Sequence, residues 1–126
     1  MTAYELHGVR ILEIPAQGAQ LRSDREAAGL VGAAWQHDAN FLVIPVQRLA
    51  EGFFQLSTRV AGEMLHRLLL YKMRVAIAGD VSRYVEESSA FRDFVAESNR
   101  GTQVWFAASL EELGARLERA GLGAER

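Results

Sequence analysis

Phe41-Leu42-Val43-Ile44-Pro45 is an unbroken apolar run, and it limits the architecture of the chain more than any other stretch. A strand with one wet face alternates apolar and polar residues; this one does not, so both of its faces must be covered. Strands of that kind belong to parallel sheets flanked by helices. The run is far short of the roughly 20 residues needed to cross a bilayer. Residues 73–78 and 102–107 are further short β-rich runs, Met-Arg-Val-Ala-Ile-Ala and Thr-Gln-Val-Trp-Phe-Ala. Each predicts another strand.

Helix signals separate these runs. Ser23-Asp24-Arg25-Glu26 is a capping box, in which the Ser hydroxyl and the Glu carboxylate satisfy N–H groups of the first turn. Ala27, Leu30, Val31, Ala34 and Trp35 follow at helical spacing and are expected on one inward stripe. Ser57 or Thr58 is placed to cap a second helix, with Val60, Ala61, Met64, Leu65, Leu68 and Leu69 inward. Arg59–Glu63 and Glu63–Arg67 are expected to pair at i,i+4 on its outer face. Ser88 or Ser89 opens a third helix with Phe91, Phe94, Val95 and Ser98 inward, and Gly101 is expected to end it in a left-handed conformation. Ser109-Leu110-Glu111-Glu112 is a second capping box, opening a helix with Leu110, Leu113 and Leu117 inward and Gly121 as its stop. The last residues are expected to fray.

Residues 4–7 and 9–14 read as a short hairpin around Gly8, closed by Pro15, which cannot donate a ladder hydrogen bond. Residues 16–22 and 81–87 read as loops, and 47–55 as irregular with a helical turn near Leu49. The predicted order is β-β-α-β-α-β-α-β-α: a mostly parallel five-stranded sheet with an antiparallel first strand, in a single α/β domain over residues 1–126.

About half of the residues are apolar, enough for a full core, and the net charge of −2 gives no electrostatic case for nucleic acid or an anionic membrane. The chain has no cysteine, which removes disulfides, thiolate metal sites and cysteine nucleophiles and is compatible with a reducing compartment. With no signal peptide legible at the start, a cytoplasmic location is expected. His7, His37 and His66 lie on three different elements with no acidic or histidine partner at ligand spacing, so no metal is expected. No nucleophile elbow, phosphate-binding loop or dinucleotide fingerprint occurs, and no cofactor is expected.

In an open parallel sheet ligands bind beyond the carboxyl ends of the strands. Those ends are residues 45–47, 79–84 and 107–109, joined by residues 53–58. Ser57 and Thr58 open a helix, where they serve either as caps or as acceptors of a phosphate favoured by the helix dipole. Phe53 and Phe54 are adjacent in a loop, so one of them is expected to line a groove rather than enter the core. Asp80, Ser82 and Tyr84 follow a strand end, where Asp80 either caps a loop or meets a ligand, and Arg92 is a further polar candidate.

Three segments carry a family resemblance. They are Phe53-Phe54-x-Leu56-Ser57-Thr58-x-Val60-Ala61-Gly62-Glu63-Met64-Leu65, then Val75-Ala76-Ile77-x-Gly79-Asp80-x-Ser82-x-Tyr84, then Phe91-Arg92-Asp93-Phe94-x-x-Glu97-Ser98-Asn99-Arg100-Gly101. Together they resemble the family of small bacterial proteins called Domain of Unknown Function 4180. The usual pattern of that family has Asp before the Leu-Ser-Thr and Gly after it; this chain has Gln55 and Arg59. The element order also resembles the STAS domains of anti-sigma factor antagonists. That resemblance implies a β-α superhelical fold in which a Ser-Ser or Ser-Thr pair opens the helix after the third strand and takes a regulatory phosphate. Thr58 matches the usual acceptor, while Leu56 stands where an acidic residue is common and Arg59 where a Gly follows.

Two functions are therefore expected from different classes. The first is a non-enzymatic interaction or regulatory module, switched by phosphorylation at Ser57 or Thr58, that docks a protein partner or a second copy of itself on the groove beside Phe53, Phe54 and Arg59. The second is a small-molecule binder or small enzyme using the strand-end cleft, with Asp80, Ser57, Tyr84 and Arg92 as its polar groups.

Overall fold

The structure, a computed structural model, describes residues 1–122. The fraying expected at the end of the chain concerns residues outside that range. Strands β1 (Thr2–Leu6), β2 (Val9–Glu13), β3 (Phe41–Pro45), β4 (Arg74–Ala78) and β5 (Val104–Ala107) form one sheet in sequential order. The first pair is antiparallel and every later pair parallel, as predicted. His7 belongs to the hairpin turn rather than to the strand: His7 and Gly8 both take positive φ, 50° and 81°, the combination a two-residue turn needs to match strand twist.

The unbroken apolar runs are buried on both faces. On one face Leu12, Ile14, Leu42, Ile44, Val75, Ile77, Val104 and Phe106 meet helices α1 (Asp24–Gln36), α2 (Val60–Leu70) and α4 (Ser89–Arg100). On the other, Val9, Ile11, Phe41, Val43, Ala76, Trp105 and Ala107 meet Leu113 and Leu117 of α5 (Leu110–Ala120). Sequential order with like-handed crossovers puts all the connecting helices on one face and leaves the other to α5.

Several local expectations needed correction. Trp35 is 56 % exposed and packs edge-on to Tyr71, ring centroids 5.6 Å apart. At i+8 it stands about 80° around the helix from Ala27, on the margin of the stripe. Leu110 is 44 % exposed and lines a hollow together with Pro45 and Ala78 at the strand ends. Neither pair expected around Glu63 forms among the described residues; Arg67 bonds Asp24 of α1 instead. Residues 81–87 are not a loop throughout: Ser82–Glu87 form a short helix, α3, started by Asp80, whose Oδ1 accepts the Ser82 N–H at 2.9 Å. Ser88 caps α4, its hydroxyl accepting the Phe91 N–H at 3.1 Å. Gly101 is extended, with φ −94° and ψ −166°, so it does not end α4 in the left-handed region. Instead its carbonyl accepts the indole N–H of Trp105 at 2.7 Å, and the Asn99 side-chain oxygen accepts the Phe106 N–H at 2.8 Å. Gly121 does end α5 in the left-handed region, with φ 64°.

Candidate functional site

Between β3 and α2 the chain makes three consecutive 3-10 turns, Val46–Arg48, Glu51–Phe54 and Leu56–Thr58. The second turn buries both aromatic neighbours: Phe53 is 0 % and Phe54 4 % exposed. The expectation that one of them stays out of the core fails, because the helical turn lets successive side chains enter different parts of it. Phe53 lies among the helix-layer residues. Phe54 lies flat on Tyr84 of α3, centroids 3.8 Å apart and planes 6° apart, and edge-on to Phe91.

Thr58 closes this segment on itself. Its hydroxyl lies 2.6 Å from the Gly52 carbonyl and 2.8 Å from the Gln55 carbonyl, sharing one proton between them, and it accepts the Val60 N–H at 3.3 Å. Neither Ser57 nor Thr58 is the N-cap residue of α2. That position falls to Arg59, which takes a left-handed backbone with φ 67° and makes no side-chain cap. Ser57 is exposed, and among the described residues its hydroxyl makes no hydrogen bond.

Ser57 opens onto a cleft of about 340 Å³ at the carboxyl side of the sheet, bounded also by Glu51, Phe54, Leu56, Tyr84 and Glu87. Arg83 bridges the carboxylates, 3.1 Å from Glu51 and 3.7 Å from Glu87, with its guanidinium 4.6 Å from the Tyr84 ring centroid. The Tyr84 hydroxyl donates to Glu51 Oε2 at 3.2 Å. Burial first, and then the charge of Glu51, hold the Tyr84 phenol above its ordinary range. Phe54, Tyr84 and Arg83 thus make a three-tier stack, tied at its outer end to the turn that carries Phe54.

Of the residues singled out from sequence, the cleft brings together Phe54, Ser57 and Tyr84. Phe53 supports it from the core. Asp80 and Ser82 form their own turn instead, and the Ser82 hydroxyl and N–H hold the Asp80 carboxyl below its ordinary value. Arg92 pairs with its neighbour Asp93 at 3.3 Å. Arg59 lies at the junction to α2. Sequence reasoning missed Glu51, Glu87 and Ser88, all in the lining. The i,i+4 spacing of Arg83 and Glu87 was the available signal, hidden by reading residues 81–87 as a loop.

Larger hollows lie elsewhere. One of about 720 Å³ opens at the amino ends of the strands beside Trp35, Tyr71 and Lys72, and one of about 570 Å³ runs between α2 and α4. Size alone does not make either the better site, since neither gathers the candidate residues. Among the described residues no three metal-ligating side chains cluster, and no helix is long and apolar enough to cross a membrane.

The family model described as Domain of unknown function (DUF4180) matches residues 6–117, so the chain belongs to that family. No curated protein and no solved structure matches it.

Proposed function

We propose that this member of the DUF4180 family is a non-enzymatic, cytoplasmic interaction module that docks a protein partner over the 51–57/84–90 cleft, with Ser57 as its modifiable hydroxyl. One observation carries the reading. Of the paired hydroxyls at the start of α2, that of Thr58 is committed to carbonyls of its own turn, whereas that of Ser57 is exposed at the mouth of the cleft. A modification there adds charge to a partner-facing surface without breaking the turn that holds it. The sequential strand order, with its connecting helices on one face, supports the comparison with STAS-like β-α superhelices at the level of fold only. The competing small-molecule reading has Asp80, Ser57, Tyr84 and Arg92 as its polar groups; Ser57 and Tyr84 line the cleft, whereas Asp80 is engaged in its own turn and Arg92 pairs with Asp93.

The test is phosphopeptide mapping of the protein recovered from its native host, together with affinity capture by the unmodified chain, Ser57→Glu and Ser57→Ala. A phosphopeptide carrying Ser57 and a partner set altered by Ser57→Glu are expected. An unmodified Ser57 with identical partners for all three forms overturns the proposal.

A further inference from the structure

Resting on the reading of this cleft as a docking surface, we infer that the partner presents a basic segment and inserts an arginine side chain beside Glu51 and Glu87. Among the described residues the lining carries two carboxylates and no cation; the compensating charge comes from Arg83, which pairs with both. Arg83 also shows which chemistry the surface accepts: a guanidinium stacked on an aromatic face and paired with both carboxylates. Those internal pairs hold weakly, since Arg83, Glu51 and Glu87 are each more than 60 % exposed, so an incoming guanidinium can compete for the same oxygens. At about 340 Å³ the cleft is at the small end of ligand pockets and suits one long side chain. Leu56 and Ala90 offer apolar surface for its methylene stem, and Gln55 and Ser88 offer acceptors for its remaining N–H groups.

A sign follows for the switch. A phosphate on Ser57 adds negative charge to an already acidic cleft and competes with Glu51 and Glu87 for Arg83. Both effects favour an external cation. Modification therefore strengthens docking of a basic segment and weakens docking of an acidic one.

The experiment is an amide chemical-shift titration of the full chain with the blocked tripeptides Ac-Ala-Arg-Ala-amide and Ac-Ala-Glu-Ala-amide. Saturable shifts confined to residues 51–57 and 84–90 are expected with the arginine peptide alone, diminishing as salt is raised. The double variant Glu51→Gln, Glu87→Gln should lose binding, while Ser57→Asp and Arg83→Ala should each tighten it about threefold. Melting curves establish that each variant is folded. Shifts elsewhere, equal response to the glutamate peptide, or binding indifferent to the double variant overturns the inference. The titration uses unmodified protein, so it stands or falls separately from whether Ser57 is modified in the host.

Discussion

Arg59 joins the last 3-10 turn to α2 with a backbone that glycine adopts freely and arginine does not. The family pattern, as the resemblance implied it, has Gly at this place, and φ 67° supplies the physical reason. Arg59→Gly should therefore stabilise the fold by about 0.5–1 kcal/mol, read as a higher urea midpoint at unchanged slope. An unchanged or lower midpoint would show that the arginine side chain makes up for its strained backbone. Thr58→Val should cost about 0.5–1.5 kcal/mol, since it leaves two carbonyls and one N–H of the turn without the hydroxyl. Ser57→Ala, by contrast, should leave the unfolding midpoint where it is. For Asp80 the pH dependence has a definite sign. Its folded carboxyl titrates below the ordinary 3.8, so its contribution is present above that value and is lost as pH falls through the lower folded value. Asp80→Asn should therefore melt below the parent at neutral pH, and the difference between the two should close as pH falls through the folded value.

At the scale of elements, β5 is an edge strand whose exposed side is partly occupied. Asn99 from the last turn of α4 occupies the Phe106 N–H, and Arg116 of α5 lies over the Trp105 ring at 4.4 Å while bonding the Asn99 carbonyl. An open edge is a template for pairing with another chain, and these contacts remove one of its donors. Asn99→Ala should cost about 1–3 kcal/mol and raise the tendency to associate, checked by unfolding and by light scattering. The two tryptophans should behave oppositely. Trp105→Ala should cost about 3–5 kcal/mol, whereas Trp35→Gln should lie within about 0.5 kcal/mol of the parent. Acrylamide should quench the fluorescence of Trp35, which is exposed, and largely spare that of Trp105, which is 2 % exposed. The stripe read from sequence around residues 27–35 was right for four side chains and wrong for Trp35, because periodicity gives a direction around the helix but not where the sheet beneath it ends.

Across the whole molecule the two faces of the sheet are unequally served. Helices α1, α2 and α4 cover one, and among the described residues the other is covered by α5, mainly through Leu113 and Leu117, and by Leu122 just beyond it. Leu117→Ala should cost about 2–5 kcal/mol, because among the described residues no second helix packs on that face to collapse into the gap. Denaturant unfolding checks this, and a loss under about 1 kcal/mol would mean that the second face contributes little.

The sequence by itself determined the α/β layering, the order of the sheet elements, the capped starts of α1 and α5 and the stop at Gly121. Those features follow from periodicity, caps and breakers, which act within a few residues of one another. It also marked Phe54, Ser57 and Tyr84 and expected their segments to converge, but not that the Phe54 ring lies flat on Tyr84. Only the tertiary structure decided that Phe53 and Phe54 both bury and that Glu51 and Glu87 face each other across Arg83. Each of these depends on how turns separated by about thirty residues pack at the sheet end, and no local pattern encodes that distance.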